Sequence, residues 1–365
     1  MITTSSTLFR YIGRQFLINF AVMMLILLGI MYLFDVIEML RRAAAQTHVS
    51  LGLILSMSFM KLPYLGQSIL PMGILFTAIY TCWKLNKTSE LVVIRSFGIS
   101  VWQFLSPLVL CAVMIGVFST AVINPVSAIF LSKYNRLNSF YFQGARDLVT
   151  VSKTGIWLRQ PSEGGGYALI HSASFDKKEW QLNNVIVLFF DSADTFLRRM
   201  DSPVAYLREG YWEISQPLVN DKKGLQQSDV QKIPTELTSQ KIEESFADPE
   251  TISFWSIPEY IHIMEETGFP ATRLYMHFHT LLAQPFLFAA MILLAATFSL
   301  RPARFGGVAA MIVFGVATGF FIFFVESMLQ AFGVSQKIPV NLAAWSPSII
   351  GLLLGGTALL HMEDG

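Results

Sequence analysis

Charged residues are scarce in this sequence: Asp, Glu, Lys and Arg make up 14% of its 365 residues, and their formal net charge is only +1. This balance, with no RNP, zinc-knuckle or basic-helix pattern, excludes a nucleic-acid-binding protein. Because 53% of the residues are hydrophobic and the mean hydropathy is +0.51, an ordinary soluble globular chain is excluded too. The composition predicts a protein whose solvent is the lipid bilayer.

Cysteines and nucleotide-binding motifs are equally sparse. The two cysteines, Cys82 and Cys111, lie inside apolar stretches, where a thiol behaves as a small hydrophobic group, so we predict neither a disulfide nor a metal site. No G-x-x-x-x-G-K-[S/T] sequence is present, and the glycine run at 164–166 lacks the lysine of a P-loop. We therefore expect no cofactor on this chain, and any ATP hydrolysis that drives it belongs to another polypeptide.

Long apolar runs are the main feature that the sequence does contain. They predict three spans in an N-terminal block and three in a C-terminal block, at about 15–38, 50–83, 99–133, 274–300, 305–330 and 339–362. Since about 20 helical residues cross the hydrocarbon core, the second and third spans must tilt, kink or project beyond the bilayer. Pro63, Pro71 and Pro107 are candidate kink points.

The charged residues are concentrated between the two blocks, where 34 of the 51 lie between Lys133 and Arg273. In this stretch, β-branched and aromatic runs alternate with turn clusters, which predicts a β-sandwich or jelly roll with strands at 148–152, 155–159, 167–171, 184–190 and 204–207. A short amphipathic helix is predicted at 253–267. The predicted fold class is an α-helical membrane protein with six transmembrane helices (3+3) and an inserted β domain, with domain limits at 1–136, 137–250 and 251–365.

The distribution of Lys and Arg in the short loops predicts the orientation of the spans. One side of the membrane carries seven basic residues: Arg10, Arg14, Lys84, Lys87, Arg95, Arg301 and Arg304. The opposite side carries three: Arg41, Arg42 and Lys337. This excess places both termini in the cytoplasm and the β domain on the other side of the membrane.

Three titratable residues in the C-terminal spans are candidates for chemistry. His277 and His279 are two positions apart, so on a helix they point about 200° from each other and cannot share a metal ion. We interpret them as interfacial residues. Glu326 would cost about 3 kcal/mol if it faced lipid, so we expect it to face a cavity, a partner or an interface, for a structural or a functional reason.

A group of basic residues lies toward the non-cytoplasmic ends of the first three spans: Arg41, Arg42, Lys61, Lys133 and Arg136. An intramembrane lysine such as Lys61 is costly unless water or an anion satisfies it. A cavity that binds an acidic amphiphile accounts for the group. The alternative is that these long side chains snorkel toward the membrane interface.

The segment 88–98, between the second and third spans, has the features of a short amphipathic helix. These are a cap at Thr88 or Ser89, an acid in the first turn at Glu90, apolar positions at Leu91, Ile94 and Phe97, a later base at Arg95, and a terminator at Gly98. Because so short a helix is unstable alone in water, it lies on the membrane or docks into a partner. A cytoplasmic ATPase is the partner that we favour.

At this segment the sequence resembles the lipopolysaccharide-export permease family, of the LptF/LptG type. The resemblance rests on Ser-Glu-Leu-Val-Val from Ser89, followed by Gly98, and it extends over the Arg-Tyr-Ile-Gly start at Arg10, the three spans, the β insert, Asp248-Pro249 before the short helix, and the three final spans. Ser-Glu-Leu-Val-Val and the basic pair after the first span are closer to the family's G subunits. The resemblance implies a multi-pass inner-membrane permease with a periplasmic β-jelly-roll domain.

The resemblance also implies partners and site residues. The implied partners are an F-type paralogous permease, a cytoplasmic ATPase dimer, a bitopic periplasmic protein that accepts the lipid, and lipopolysaccharide itself. The family's residues for lipopolysaccharide phosphates match Arg41, Arg42, Lys61, Lys133 and Arg136, with Arg at the first two positions where Lys is usual. Arg offers phosphate a bidentate fork, so the role survives with altered geometry. The family's coupling helix to the ATPase matches Ser89, Glu90, Leu91, Ile94, Arg95 and Gly98.

Other functions remain open from the sequence. A lipoprotein-release or macrolide-type permease is disfavoured, because those families typically place their large insert after the first span, whereas here it follows the third. An intramembrane enzyme that uses His277, His279 or Glu326 is the alternative from another class. A scaffold that merely anchors a β domain would not need six spans with an intramembrane lysine.

Overall fold

The computed structural model describes residues 6–44, 49–143, 149–152, 155–162, 166–176, 179–191, 195–221, 224–227, 229–235, 248–266, 270–299 and 308–364. The chain divides into two compact units. The helical unit comprises Met1–Phe142, Glu250–Trp255 and Thr272–Gly365, and the β unit comprises Gln143–Pro249 and Ser256–Ala271.

Helices account for nearly all of the described part of the helical unit. They are α1 (Ser6–Ala43), α2 (Leu51–Lys87), α3 (Glu90–Ser96), α4 (Val101–Phe118), α5 (Asn124–Asn138), then, after α6 (Ile257–Glu266) of the β unit, α7 (Thr272–Ser299), α8 (Val308–Val334) and α9 (Val340–Asp364). Within the described residues, six segments are long and apolar enough to cross a membrane: α1, α2, the run from α4 through α5, α7, α8 and α9. The six predicted spans are therefore confirmed.

The third span is interrupted at a place that the sequence did not identify. Pro107 lies inside a continuous α4, whereas a π-helical turn, Ser119–Ile123, separates α4 from α5 just before Pro125. Proline has no N–H to donate to the carbonyl four residues earlier, which here is that of Ala121. The Trp255 indole N–H donates to this carbonyl at 3.1 Å. The broken backbone is thus satisfied by a side chain from the turn Phe254–Ser256.

The helix α7 is the centre of the helical unit, since every residue of the stretch 287–297 is buried. It packs against α2, α4 and α9. A Cβ on Gly116 of α4 would lie 2.6 Å from the Pro285 Cα of α7, so glycine permits this close helix contact. Pro285 cannot donate to the Leu281 carbonyl, and the Thr120 hydroxyl donates to it instead, at 3.0 Å. At both Pro125 and Pro285, the carbonyl that the proline cannot reach therefore accepts a hydrogen bond from a side chain instead.

The described strands of the β unit form a single antiparallel sheet. They are β1 (Val149–Ser152), β2 (Gly155–Pro161), β3 (Tyr167–Asp176), β4 (Gln181–Phe190), β5 (Phe196–Arg208), β6 (Tyr211–Ser215), β7 (Leu218–Asp221), β8 (Gly224–Gln227) and β9 (Val230–Pro234). Their order is β1-β2-β3-β4-β5-β6-β9, and β7 and β8 branch from β5. An antiparallel β domain inserted between the third and fourth spans is confirmed. The strands β6 to β9 were not among those that the sequence predicted.

The long strand β5 is the branch point of the sheet. It pairs with β4 on one side, and on the other side with β7 through residues 199–201 and with β6 through residues 204–208. Side chains alternate between buried and less buried along β3 and β4, as expected for strands with one face toward a core. The helix α6 buries Ile257, Ile261 and Met264, one apolar stripe of a helix, and contacts β1.

A buried glutamine joins strands that are not neighbours in the sheet. The Gln160 Oε1 on β2 accepts hydrogen bonds from the Trp212 indole on β6 (3.2 Å) and from the Thr235 hydroxyl after β9 (2.7 Å). Its amide nitrogen donates to the Pro234 carbonyl of β9 at 3.2 Å. Because β2 and β9 lie far apart in the strand order, these contacts require the sheet to curl so that its two ends approach each other.

We predict that Gln160→Ala loosens this curled sheet. The substitution removes the acceptor of the buried Trp212 N–H, and the loss of such an acceptor costs about 1–3 kcal/mol of folding free energy. Hydrogen–deuterium exchange of the full chain should show faster exchange in β6 and β9. The control is Gln226→Ala, on the exposed strand β8. Equal protection of β9 in the two variants would contradict the assigned role of Gln160.

Candidate functional site

The five basic residues predicted to bind an anionic lipid lie at one end of the helical unit, which we call the basic end. An apolar cluster there joins the end of α1, the start of α2 and the middle of α5: Met39, Ala43, Ile54, Met57, Leu131 and Tyr134. The basic residues border this cluster along the same three helices: Arg41 and Arg42 on α1, Lys61 on α2, and Lys133 and Arg136 on α5. The structure therefore brings the five residues to one region, although they are spread over 96 positions of the sequence (Arg41 to Arg136 inclusive).

The intramembrane lysine is paired with an acid of the same chain. The Lys61 Nζ donates to the Asp35 Oδ1 at 2.7 Å, and the side chains are 27% and 7% exposed, respectively. The Lys61 Nζ also lies 5.5 Å from the centroid of the Tyr134 ring, within the range of a cation–π contact. The charge of Lys61 is thus balanced by an acid of the same chain. Neither of the two interpretations from the sequence, an anionic ligand or snorkelling, included this pair.

The other basic residues are more exposed. Arg41 and Arg42 pair with Glu38, one turn earlier on α1, at 2.8 and 2.9 Å. Lys133 and Arg136 are exposed on α5, on either side of the buried Tyr134. Exposed ion pairs of this kind contribute about 0–1 kcal/mol to stability, so Arg41 and Arg42 can exchange Glu38 for another anion at little cost.

Asp35 and Glu38 are the site residues that the sequence analysis missed. Both follow the long uncharged run of the first span, three positions apart, and therefore lie on one side of α1. An acid inside a predicted span needs a partner, and the lysine in the neighbouring span was the obvious candidate. That argument could have predicted the Asp35–Lys61 pair, but only if the two spans were known to be in register.

At the opposite end of α1, the segment 88–98 forms the short helix α3 (Glu90–Ser96). The Glu90 carboxylate accepts hydrogen bonds from the Tyr11 hydroxyl of α1 (3.0 Å) and from the Thr88 hydroxyl (2.9 Å). Gly98 follows the helix with φ +76°, a left-handed conformation that favours glycine. The predicted termination of the helix at Gly98 is thus observed.

The predicted cap of α3 is not formed by Ser89. That residue has φ 60° and its side chain makes no capping hydrogen bond. The single Thr88 hydroxyl proton is shared between the Glu90 carboxylate (2.9 Å) and the Lys84 carbonyl (3.1 Å), so this side chain joins the end of α2 to α3 rather than capping α3. A tight turn between two helices is the physical reason, since it requires a left-handed residue where a capping serine would be extended.

The apolar stripe predicted at Leu91, Ile94 and Phe97 points into the protein at its first two positions only, because Phe97 follows the last helical residue, Ser96. Leu91 and Ile94 are buried in the cluster that forms the main core of the helical unit. The surface that remains exposed is apolar as well: Val92, Val93 and Phe97 are 62%, 54% and 73% exposed. We call these three residues the outer face of α3. A partner that contacts α3 therefore contacts the outer face, together with Glu90 and Arg95. Leu91 and Ile94 instead anchor the helix in the core.

The titratable residues of the C-terminal spans do not form a joint site in the described part of the chain. Glu326 of α8 accepts a hydrogen bond from the Gln330 amide of the same helix at 3.3 Å. The His277 Nε2 and His279 Nδ1 of α7 are buried without a hydrogen-bond partner among the described residues. Within these residues, no three His, Cys, Asp or Glu side chains are grouped so as to hold a metal ion.

Comparisons with known proteins agree in pointing to one family. The family described as "Lipopolysaccharide export system permease LptF/LptG" matches residues 10–361. The lipopolysaccharide export system permease protein LptG of Haemophilus influenzae is 22% identical over 365 residues, covering 98% of this chain and 99% of the relative. LptG of Escherichia coli K12 is 25% identical over 364 residues, covering 94% of this chain and 93% of the relative.

We predict that Lys61→Met destabilises the helical unit by leaving Asp35 buried and unpaired. Loss of one partner from a fully buried ion pair costs about 3–5 kcal/mol, and the partial exposure of Lys61 reduces the expected cost to about 1–3 kcal/mol. Thermal unfolding of the detergent-purified chain measures the loss. The additional change Asp35→Asn should restore most of the stability.

The control for this prediction is Lys133→Met, which removes an exposed lysine of the same region and should change stability by less than about 0.5 kcal/mol. Equal unfolding midpoints for Lys61→Met and Lys133→Met would show that the Asp35–Lys61 pair contributes nothing.

Proposed function

Because the chain belongs to the lipopolysaccharide export permease family LptF/LptG, we propose that its basic end binds the phosphates of lipopolysaccharide during export. The chain is a multi-pass inner-membrane permease of the lipopolysaccharide export system. The observation that carries the proposal is the gathering of five basic residues from three helices around one apolar cluster. Phosphate binds Arg and Lys through strong charge-assisted hydrogen bonds.

The surface of α1 supports an amphiphilic ligand. Its apolar residues are widely exposed in this single chain, with Leu25, Leu33 and Phe34 at 74%, 61% and 67%. This apolar surface runs along α1 up to Arg41 and Arg42, so that acyl chains and phosphates of one lipid meet surfaces of matching chemistry. In the proposed orientation, both termini are cytoplasmic and the basic end faces the periplasmic leaflet, which agrees with the excess of Lys and Arg in the opposite loops.

A second permease subunit fits the helices that are least covered by this chain. Most of the described side chains of α1 and α8 are exposed or half-buried in this chain. We propose that an F-type paralogous permease packs against part of these two helices and encloses the lipid cavity, while membrane lipids cover the remainder. The cavity then receives basic residues from the present chain and acyl-chain contacts from both subunits.

The outer face of α3 is the proposed seat of the cytoplasmic ATPase. Two exposed apolar side chains on a seven-residue helix and a third at the residue that follows it are unfavourable in water and favour contact with a partner. Since Leu91 and Ile94 anchor α3 in the core, a displacement imposed on its outer face is passed to α2 and α4. ATP hydrolysis by a dimeric ATPase would in this way close the cavity and expel the lipid.

The β unit is the proposed exit of the transporter. In this scheme residues 137–250 form the periplasmic domain, between the membrane regions 1–136 and 251–365, and pass the lipid to a bitopic periplasmic acceptor protein. The Gln160 contacts require the sheet to curl, and its strands bury alternate side chains, so we propose that the curled sheet offers a protected apolar surface to acyl chains.

We predict that Arg136→Asp weakens lipid binding by the assembled transporter. The reversal replaces an attractive charge by a repulsive one beside the phosphate, and the loss of a charge-assisted hydrogen bond corresponds to about a tenfold change in binding. Photo-crosslinking of lipopolysaccharide from Ile37, an exposed residue of α1, measures the occupancy. Lys337→Asp, a reversal in the loop between α8 and α9, is the control, and crosslinking that stays unchanged for Arg136→Asp would refute the basic-end assignment.

We predict that Phe97→Asp releases the ATPase. A charged side chain on the outer face cannot be desolvated by an apolar partner surface, so the amount of ATPase that co-purifies should fall to about a tenth, following a loss of roughly 1.4 kcal/mol. The control is Leu225→Asp, at an equally exposed apolar residue of the β unit. Wild-type recovery of the ATPase with Phe97→Asp would place the ATPase contact elsewhere.

A further inference from the structure

Asp35 brings a negative charge into a region that the proposed function fills with a negatively charged ligand. Its carboxylate is 7% exposed, whereas the Lys61 side chain is 27% exposed. The Asp35 Oδ2 is buried and has no hydrogen-bond partner among the described residues. Asp35 therefore forms a hydrogen bond with Lys61 through one oxygen only, and Lys61 is the more accessible member of the pair.

An ammonium group that is already bound to a carboxylate is a poor phosphate receptor. The pair carries no net charge, so its attraction for an approaching anion is much weaker than that of a free lysine. A phosphate can recover the full attraction only if Lys61 turns away from Asp35. The lysine has a flexible four-carbon stem and three N–H donors, whereas Asp35 has a short side chain held inside the helix packing, so Lys61 is the partner that can move.

We propose that Asp35 is an internal counter-ion that competes with the lipid phosphate for Lys61, an inference that rests on the proposed function of the basic end. Binding of lipopolysaccharide then exchanges the carboxylate of Asp35 for a phosphate on the lysine. The empty site avoids an uncompensated charge in the membrane. When the cavity closes on the lipid, Asp35 recaptures Lys61 and lowers the affinity for the departing phosphate.

Asp35 differs from Glu38, the other acid of the basic end, in how strongly it should compete with a phosphate. Glu38 holds Arg41 and Arg42 at the surface, where all three side chains are at least 36% exposed. Water and salt screen such a pair strongly, so its competition with a phosphate is small. Asp35 is shielded, and its competition for Lys61 should be correspondingly larger.

The test compares lipopolysaccharide occupancy in Asp35→Asn with that in the wild-type transporter, using the full complex in nanodiscs and the same photo-crosslinking from Ile37. Asparagine keeps the size and a hydrogen-bond acceptor for Lys61 but removes the competing charge. Occupancy at limiting lipid should rise about threefold to tenfold, and the lipid released per ATP hydrolysed should fall. Glu38→Gln, which makes the same change of charge on the same helix, is the control and should change occupancy less than about twofold.

Two further measurements identify the route of the effect. In a Lys61→Gln background, the change Asp35→Asn should have no influence on occupancy, because the group for which the anions compete is gone. Enzymatically dephosphorylated lipopolysaccharide should likewise show no gain with Asp35→Asn. Since the Lys61→Gln chain retains a polar partner for Asp35, its folding can be checked independently by thermal unfolding.

The outcomes separate this inference from the function on which it rests. A fall in occupancy with Asp35→Asn would mean that the acid positions Lys61 rather than competing for it, and unchanged occupancy would mean that the pair is only structural. Either result overturns the counter-ion proposal while the weakened crosslinking of Arg136→Asp still supports a lipid site at the basic end. If neither Arg136→Asp nor Lys61→Gln alters crosslinking, the lipid site itself is refuted.

Discussion

The requirement that backbone polar groups be satisfied inside a hydrocarbon phase controls the arrangement of the helices. Pro125 and Pro285 each leave a carbonyl without its helical donor, and each carbonyl receives a hydrogen bond from another element, from Trp255 and Thr120, respectively. These two contacts lie where the third span is broken and where α4 meets the central helix α7. The close approach of the helices at Gly116 and Pro285 forms part of the same junction. The prolines thus determine which side chains must cross between helices.

The free-energy cost of an unpaired polar or charged group in the membrane also explains which side chains are paired at the basic end. A transporter of an anionic lipid needs positive charge within reach of the membrane, but an isolated lysine there is expensive. The chain combines both requirements by pairing Lys61 with the shielded Asp35 and by leaving Lys133 and Arg136 on the exposed side of α5. The basic end therefore combines a partly shielded lysine that is paired with an acid and basic side chains that are exposed.

In α3, the residues that anchor the helix in the core are different from those that are exposed to a partner. Its seven residues are too few to form a stable helix alone, and its order depends on Leu91 and Ile94 in the core and on the hydrogen bonds of Glu90 to Tyr11 and Thr88. The outer face is then available to a partner without any loss of internal packing. The apolar anchors belong to the same core cluster as residues of α2 and α4.

The sequence by itself determined the number of spans, the inserted β domain and the family, because long apolar runs, strand patterns and the Ser-Glu-Leu-Val-Val segment are local properties of the chain. It also identified the termination of α3 at Gly98, since a left-handed residue is a local requirement. Only the tertiary structure decided that Lys61 meets Asp35, that Leu91 and Ile94 face inward, and that Trp255 completes the broken third span. Each of these contacts depends on the register of helices distant in sequence. The strands β6 to β9 escaped prediction for a related reason, since short polar segments such as β8 become strands through pairing with neighbours rather than through their own residue pattern.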